Sequence, residues 1–241
     1  MNSIINSVKM GHFFAILKEG MNMLGIPRVD ELFDLSHTVA AELLLRVRLP
    51  HEAIGEIREY ILEYVSRLSG DYREISDGVY VANDAKIWAG ATVCGPTLIG
   101  HRTEVRPGAF IRGDVIIGDD AVIGNSTEVK NSIIFDSAQL PHYNYVGDSI
   151  IGYRGHLGAG AIASNLRLDR SEVRIGGVAS GLRKLGVLLG DEAEVGCGCV
   201  ICPGTVIGRR SLIYPLSCVR GVIPQDSVLD SGEIRARGEN I

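Results

Sequence analysis

The stretch VANDAKIWAGATVCGPTLIGHRTEVRPGAFI, residues 81–111, places an aliphatic residue at every sixth position. The same phase runs from Ile75 to Phe135, and a small or β-branched residue such as Ala85 stands four positions after most of these apolar residues. A period of six matches neither an α-helix, which repeats every 3.6 residues, nor an ordinary strand, which repeats every two. It indicates instead a structure built from short units stacked on one another.

The repeat predicts a parallel β-helix. Each six-residue unit would form one flat face, three faces would close a triangular coil, and the aliphatic residues would stack inside. The number of units predicts six or seven coils over residues 71–223. Since this region is most of the chain, the protein is expected to be mainly β. Residues 224–241 would then form a C-terminal tail.

The repeat is interrupted twice. After Phe135 it resumes at Tyr145, which predicts a loop of about four extra residues that contains His142. A longer break covers residues 163–188, after which the pattern continues to Val219. Because a regular prism has no cleft, we expect functional residues where these loops interrupt it.

Residues 1–70 lack the period and predict a small α-helical region. Apolar residues at helical spacing predict a helix over residues 50–68, with Gly70 just past its end. A second helix is expected to begin near Ser36, whose hydroxyl would cap it, and a third lies within residues 4–23. Because the end of a stacked prism leaves backbone groups unpaired, we expect this region to cap the first coil or to join subunits.

The composition argues against several classes of protein. With 24 Lys and Arg against 29 Asp and Glu, the net charge of −5 argues against a nucleic-acid partner. No apolar run approaches the roughly 18 residues that a membrane span needs, and the start of the chain has no signal-peptide pattern. Five cysteines, an odd number, offer no disulfide framework. We therefore expect a cytoplasmic protein with no membrane partner.

Two cations are candidates for binding an anion. Arg106 and Lys130 each directly follow an inward aliphatic residue and therefore point outward. Their separation is one full coil plus one further face, so we expect them to approach each other around a corner and to hold a phosphate. The alternative is that they form surface salt bridges with their neighbours Glu104 and Glu128.

His142 is a candidate general base, because a histidine on a loop can accept a proton near neutral pH. The alternative is an exposed loop histidine with no catalytic role. The second break carries several basic residues, including Lys184, which would either meet an anionic cofactor or form a solvated surface.

Two arrangements suggest a metal site. Three cysteines lie close together in the sequence, namely Cys197, Cys199 and Cys202. Cys199 occupies an inward small-residue place and a fourth ligand is missing, so small stacking residues are the favoured interpretation. The other arrangement uses the histidines His101, His142 and His156. The segment FIRGDV, residues 110–115, resembles zinc hydratases of the gamma carbonic anhydrase type, but the close histidine pair of that family is absent. We predict no metal.

The segments EVKNSIIFDSAQLPHYNYVGDSIIG, residues 128–152, and LGAGAIASN, residues 157–165, resemble the acetyltransferase half of the bifunctional uridyltransferase that makes UDP-N-acetylglucosamine. The resemblance covers about residues 75–223. It implies a left-handed β-helix that assembles as a homotrimer with active sites between subunits. It also implies acetyl-coenzyme A as the co-substrate and a sugar phosphate as the acceptor.

By this resemblance, the family's site residues fall on five positions. The phosphate-binding arginine of its RPG motif falls on Arg106 in VRPGAF, and a lysine of the following coils falls on Lys130. Its catalytic histidine falls on His142, and its substrate-contacting tyrosine falls on Tyr145 in YVGD. The asparagine of its GAGTITCNYDG segment falls on Asn165.

The cofactor side of the family's site resembles this sequence less closely. Cys197 stands where the family has a small serine that contacts coenzyme A, and Lys184 lies in RKLG, a segment that resembles archaeal versions. These two residues are the candidates for cofactor binding. After Asn165 the sequence reads LRLD instead of YDG, so the wall that faces the sugar differs.

The resemblance implies an N-acetyltransferase that acts on glucosamine 1-phosphate or a related amino-sugar phosphate and feeds UDP-N-acetylglucosamine synthesis. No glycine-rich nucleotidyltransferase motif occurs, so we expect no uridyltransferase activity from this chain. Two other functions stay open. One is a non-catalytic β-helix that serves assembly or regulation, and the other is the zinc-dependent hydratase.

Overall fold

The computed structural model describes residues 25–238. The helix expected within residues 4–23 lies outside this range. Residues 25–238 contain three α-helices, namely α1 (Val29–Leu32), α2 (Ala41–Arg46) and α3 (Ile57–Tyr64). Three 3₁₀ helices accompany them, namely Leu35–His37, Pro50–Glu56 and Val65–Arg67. None of the helices in the described range is long and apolar enough to cross a lipid bilayer.

In the described part of the chain, twenty-seven strands, numbered β1 to β27 in chain order, form three long sheets and one hairpin. Face A contains β1 (Tyr72–Ser76), β2 (Val79–Ala82), β5 (Thr97–Ile99), β8 (Val115–Ile117), β11 (Ser132–Ile134), β14 (Ile150–Ile151), β19 (Val187–Leu189), β22 (Thr205–Ile207) and β25 (Val222–Ile223). Face B contains β3 (Lys86–Ile87), β6 (Glu104–Val105), β9 (Val122–Asn125), β12 (Gln139–His142), β15 (His156–Leu157), β20 (Glu194–Val195), β23 (Leu212–Ile213), β26 (Ser227–Asp230) and β27 (Glu233–Ala236). Face C contains β4 (Thr92–Val93), β7 (Phe110–Ile111), β10 (Glu128–Lys130), β13 (Tyr145–Gly147), β16 (Ile162–Ala163), β21 (Val200–Ile201) and β24 (Cys218–Val219). The hairpin pairs β17 (Arg174–Ile175) with β18 (Val178–Ala179).

The chain visits faces A, B and C in turn, and strands of successive coils pair in parallel, apart from β1, β27 and the hairpin. The predicted left-handed parallel β-helix is therefore confirmed. Stacked aliphatic side chains fill its interior: Ile111 pairs with Val129, and Val129 pairs with Val146. Face C has seven strands and faces A and B each have nine, so the prism has seven to eight coils, slightly more than the sequence predicts.

Two coils are one residue shorter than the regular repeat of three six-residue units. On face A, Ile117 pairs with Ile134, and Ile134 pairs with Ile151, so each of these steps falls one residue short. The expected insertion after Phe135 is therefore wrong. Phe135 lies on the outer side of face A, where its ring centre is 5.2 Å from that of Phe33.

The second predicted break is a real excursion. The step from Ile151 to Leu189 on face A is more than twice as long as an ordinary coil. The extra chain leaves the prism after β16, forms the β17–β18 hairpin, and returns where Leu166 bridges Lys184. Asn165 and Lys184 therefore lie at the base of this excursion.

The helical region covers the outer side of face A, and the prediction that it caps the first coil is wrong. One buried cluster joins the helices to face A, and it includes Leu43, Ile57, Ile61, Ile116, Ile133, Ile150 and Val206. Because face A is covered on both sides, a strand such as β8 is buried at every residue. The first coil is bordered instead by β1, which runs antiparallel to β2. Ile75, which the repeat places inside, lies on β1 and is 44% exposed.

Buried polar contacts fasten the helical region to the prism. The carboxylate of Asp191, only 5% exposed, accepts hydrogen bonds from the backbone N–H of Asp34 and the guanidinium of Arg209, each at 2.7 Å. The backbone N–H of Asp191 donates to the carbonyl of Leu32 at 3.0 Å. Burial raises the pKa of Asp191, and these donors oppose that effect. The start of the helical region, at Leu32 and Asp34, is therefore held at a fixed place on the prism.

Of the two predictions for the helices, the structure agrees with the helix over residues 50–68 and disagrees with the cap at Ser36. The helix predicted over residues 50–68 is confirmed, with 3₁₀ turns on either side of α3. The predicted cap at Ser36 is wrong, because α2 begins at Ala41 without a side-chain cap. Ser36 belongs to a separate 3₁₀ turn, where its hydroxyl donates to Asp34 at 2.8 Å.

The C-terminal segment continues the prism beyond residue 223. Strand β26 pairs in parallel with β23 as one more unit of face B. Strand β27 then runs antiparallel to β26 and borders that edge of the sheet. Both ends of the stack thus carry an antiparallel strand, which covers backbone groups that a bare parallel edge would expose.

Candidate functional site

A buried carboxylate organises the corner between faces C and A. Asp148 is only 4% exposed, and it accepts hydrogen bonds from Lys130 Nζ at 3.1 Å and Asn131 Nδ2 at 2.8 Å. The side-chain amide of Asn165 also donates to it. A carboxylate with several charge-assisted donors holds those donors in fixed positions. Two predicted site residues, Lys130 and Asn165, therefore meet at one carboxylate.

Tyr145 completes this corner, although the repeat phase places it inside the prism. Val146 is the inward residue, and Tyr145 lies outside on face C. A Cβ atom added to Gly147 would be 2.6 Å from Tyr145 Oη and 2.6 Å from Asn165 Nδ2, so both groups converge over that glycine. Burial raises the pKa of Tyr145, and the charges of Asp148 and Glu128 act in the same direction. Its hydroxyl is therefore neutral and able to donate a hydrogen bond at neutral pH.

The prediction that Arg106 approaches Lys130 around a corner is wrong. Arg106 follows β6 at the corner between faces B and C, where its guanidinium pairs with Glu104 at 2.8 Å. Lys130 lies at the opposite edge of face C. The cation beside it is Arg112, which occupies the equivalent place one coil earlier and donates its backbone N–H to Val129.

Arg112 and Lys130 line one cavity of about 310 Å³, together with residues of the helical region. Each cation is held by its own acid: Arg112 lies 2.7 Å from Glu128, and Lys130 lies 3.1 Å from Asp148. A separation of one full coil from Lys130 is the signal that identifies Arg112 in the sequence. The separation between Arg106 and Lys130, a coil plus one face, leads to a different edge of the face.

His142 lies at the end of β12, and its predicted position on an inserted loop is wrong. Its imidazole is exposed at the corner between faces B and C. The buried side chain of Asn144 accepts a hydrogen bond from the backbone N–H of His142 at 3.2 Å. Tyr143 between them has φ of +52°, which is uncommon for a bulky residue and ends the strand directly after His142. The position of the imidazole is thus set by a tight, well-bonded corner.

The two predicted cofactor-binding residues lie in separate places. Cys197 is exposed and lines a cavity of about 280 Å³ with Tyr214 and Pro215 on the later coils. Lys184 lines a cavity of about 550 Å³ on the excursion, together with Arg170. The first cavity is lined largely by apolar side chains, and the second combines cationic side chains with the apolar side chains of Leu166 and Leu182.

The side chains considered for metal binding are dispersed. Among residues 25–238, no group of three or more His, Cys, Asp or Glu side chains is arranged to hold a metal ion. Cys199 points into the prism core, as the repeat predicts, while Cys197 is exposed. Both ring nitrogens of His101 contact carboxylates, Asp84 at 2.8 Å and Asp71 at 3.0 Å.

Together these placements define two candidate sites on one chain. The corner between faces C and A presents cations and amide donors suited to an anion with a polar neighbour. The corner between faces B and C presents an exposed imidazole suited to proton transfer. The single chain does not bring the two corners together.

Comparisons with known proteins agree with the resemblance stated from the sequence. A family model described as the GMPPB C-terminal domain matches residues 93–178. The bifunctional sugar-1-phosphate nucleotidylyltransferase/acetyltransferase of Sulfurisphaera tokodaii is 38% identical over 149 residues, which cover 60% of this chain and 37% of that protein. The bifunctional protein GlmU of Methanococcus maripaludis strain C5 is 33% identical over 187 residues, which cover 74% of this chain and 45% of that protein. The resemblance to bifunctional enzymes of this kind is confirmed, and the chain spans less than half the length of these relatives.

Among solved structures, a mutant of perosamine N-acetyltransferase from Caulobacter crescentus, in complex with CoA and GDP-perosamine, is 20% identical. The match covers 64% of this chain and 57% of that one, with a TM-score of 0.38. A hexapeptide transferase family protein from Anaplasma phagocytophilum is 18% identical, with a TM-score of 0.37, and the match covers 63% of this chain and 74% of that one.

Proposed function

We propose that this protein transfers the acetyl group of acetyl-coenzyme A to the amino group of glucosamine 1-phosphate or a related amino-sugar phosphate. The observation that carries the proposal is the corner at Asp148. There the carboxylate fixes the positions of Lys130 and Asn165, whose polar groups suit an anionic, polar ligand. The similarity to bifunctional sugar-1-phosphate nucleotidylyltransferase/acetyltransferases supports the choice of acceptor. The product would serve UDP-N-acetylglucosamine synthesis.

The substrate phosphate would bind Arg112 and Lys130. These cations share a cavity, and their paired acids leave further N–H donors on each of them for a ligand. Tyr145 and Asn165 would donate hydrogen bonds to the sugar, because their polar ends converge over Gly147. Within one chain Arg106 does not share this cavity, since it lies at the other edge of face C with Glu104.

His142 would act as the general base. Its imidazole would remove a proton from the sugar ammonium group, and the neutral amine would attack the thioester carbonyl to form the N–C bond. The C–S bond then breaks, the departing thiolate takes up the proton that His142 carries, and the nitrogen releases its second proton to water as the amide forms. Backbone N–H groups pointing at the carbonyl oxygen would stabilise the charge that develops there.

The active site would lie between subunits of a homotrimer. His142 and the corner at Asp148 lie at opposite edges of face C in one chain, so the base of one subunit would meet the cations of its neighbour. Acetyl-coenzyme A would lie along the later coils in the same groove. Cys197 in its apolar cavity would contact the pantetheine arm, and Lys184 would face a phosphate of the cofactor.

Thiol release from acetyl-coenzyme A in the presence of glucosamine 1-phosphate tests the proposal. We expect turnover in the wild type and a loss of about 10² to 10⁴ in kcat for His142→Ala, the usual contribution of a general base. His37→Gln is the control. His37 belongs to the helical region, and its ring stacks on Tyr153 at the corner between faces A and B, away from face C. Full turnover in His142→Ala, or no release with any amino-sugar phosphate, would overturn the proposal.

A further inference from the structure

We propose that Arg58, on α3 of the helical region, is a third phosphate-binding cation that makes the site selective for a sugar with a terminal phosphate monoester. This inference rests on the proposed function and assigns the helical region a part in substrate selection. A nucleotide-linked amino sugar, in which each phosphate carries one ester bond and the shared anhydride bond, would be the disfavoured acceptor.

The helical region forms one wall of the cavity that contains Arg112 and Lys130. Arg58 and Gly55 line this cavity of about 310 Å³ opposite the two prism cations. The position of Arg58 is set by its neighbours in α3, because Ile57 is fully buried against the outer side of face A. A helix packed in this way holds its next residue at a defined place on the rim.

Arg58 is held toward the cavity by an ion pair with the prism. Its Nη2 atom is 2.9 Å from Oδ1 of Asp114, and Asp114 also lines the cavity. Asp114 occupies a left-handed corner with φ of +55°, directly after Gly113. About half of the Arg58 side chain is exposed, so further N–H donors of its guanidinium remain available to a ligand.

Each of the three cations lies beside a carboxylate. Arg112 and Lys130 donate hydrogen bonds to Glu128 and Asp148, whereas Arg58 meets Asp114 in an ion pair without a hydrogen bond to Oδ1. A phosphate monoester carries about −1.5 to −2 charges at pH 7, whereas each bridging phosphate of a nucleotide sugar carries one. A third cation therefore increases the affinity for a phosphate monoester more than the affinity for a nucleotide sugar.

The size of the cavity acts in the same direction. Small-molecule sites usually measure about 300 to 1,000 Å³, so a cavity of about 310 Å³ is at the lower limit. Residues of the helical region around Gly55 form part of its lining. A cavity of this size accommodates a phosphate more readily than a phosphate with a nucleoside attached.

Steady-state kinetics of Arg58→Gln and Arg58→Lys test the inference. For glucosamine 1-phosphate we expect Arg58→Gln to raise KM about tenfold with little change in kcat, since Arg58 is remote from the reacting amine. Arg58→Lys should recover part of the loss. With UDP-glucosamine as acceptor, kcat/KM should stay constant or rise. Arg46→Gln is the matched control, because Arg46 pairs with Glu63 within the helical region.

A second variant tells whether Arg58 contacts the phosphate directly or only neutralises the negative charge of Asp114. In Arg58→Gln the carboxylate of Asp114 loses its ion-pair partner and would repel the phosphate by itself. The double variant Arg58→Gln/Asp114→Asn removes that charge, and asparagine accepts the left-handed corner. We expect KM to remain raised in the double variant. Recovery of the wild-type KM would overturn a direct contact, as would an unchanged KM in Arg58→Gln.

Calorimetric titration with inorganic phosphate and with glucosamine 1-phosphate keeps the two proposals distinguishable. We expect both ligands to bind the wild type about tenfold more tightly than Arg58→Gln. Binding that depends on Arg58 without any acetyl transfer would overturn the proposed function and leave this inference standing. Acetyl transfer with phosphate binding and KM indifferent to Arg58 would overturn this inference alone.

Discussion

Asp148 connects the fold and the proposed chemistry at the scale of one residue. A buried charge is costly unless it is paired and hydrogen-bonded, and Asp148 receives donors from Lys130, Asn131 and Asn165. Lys130 and Asn131 come from the coil before Asp148 and Asn165 comes from the coil after it, so the carboxylate joins three layers of the prism. The same contacts hold the amino group of Lys130 at the rim of the cavity with Arg112.

Replacing this carboxylate should cost both stability and binding. We expect Asp148→Ala to lower the free energy of unfolding by about 3 kcal/mol, because Lys130, mostly buried, would lose its only acidic partner in the described chain. Urea unfolding at a fixed protein concentration measures this loss. Arg102→Gln, which breaks an exposed pair with Asp120, is the control and should change stability by less than about 1 kcal/mol. Equal losses in the two variants would contradict the role of Asp148.

Gly147 should matter for substrate binding more than for folding. In Gly147→Ala the new methyl group would meet the far ends of Tyr145 and Asn165, which can move aside without disturbing the backbone. Because moving Asn165 weakens one of the donors to Asp148, we expect a loss of stability smaller than in Asp148→Ala, together with a rise of about tenfold in KM for the sugar phosphate. Gly70→Ala is the control, because nothing lies within 4 Å of the added atom there. A normal KM in Gly147→Ala would show that the two side chains do not bind the sugar.

At the scale of elements, the helical region is held to the excursion through a buried histidine. His51 is 3% exposed in the 3₁₀ helix Pro50–Glu56, and its ring bonds to the backbone carbonyl of Ser180. Its Nδ1 atom has no hydrogen-bond partner among the described residues. Burial lowers the pKa of His51, since the apolar surroundings disfavour the imidazolium form.

This histidine should make the contact sensitive to acid. The unfolded chain takes up the proton near the ordinary pKa of 6.5, whereas the folded chain takes it up only at lower pH. Stability is therefore fully present above pH 6.5 and is lost as the pH falls through the folded pKa. We expect the melting temperature to drop more between pH 7.5 and 5.5 in the wild type than in His51→Leu. An identical drop in both proteins would assign the pH dependence to other groups.

The coils around Phe135 explain why the element boundaries could not all be predicted. The repeat of six identifies the parallel β-helix because inward residues must stack in every coil. On face A, however, the outer side is also buried, so Ile133, Ile134 and Phe135 are all apolar. The hydrophobic pattern then cannot tell which of them points inward. Only the pairing of Ile134 with Ile117 reveals the shorter coil and removes the predicted loop at His142.

The site was predictable where it depends on whole coils. Lys130 and Asn165 share Asp148 because they stand one coil on either side of it. The prediction for Arg106 was wrong because its separation from Lys130 is one coil plus one face. That extra face puts Arg106 at the opposite edge of face C. The contribution of Arg58 depends on how the helices lie against face A, which no periodicity in the prism encodes.

At the scale of the whole molecule, the distance between the two corners of face C leads to a prediction about assembly. His142 ends β12 at one edge of this face, and Lys130 ends β10 at the other. If the proposed site needs both residues, each site must combine the base of one chain with the cations of another. His142→Ala and Lys130→Ala homotrimers should then both be nearly inactive.

Mixing the two variants distinguishes a shared site from a site within one chain. In every trimer that contains both variants, only one of the three interfaces combines an intact His142 with an intact Lys130, so about one third of wild-type turnover should return. A site within one chain gives no recovery, because every chain carries a defect. His142→Ala mixed with the double variant His142→Ala/Lys130→Ala is the control, since no interface can then regain its base. Thiol release per trimer, measured after co-expression with two affinity tags, decides between the two arrangements.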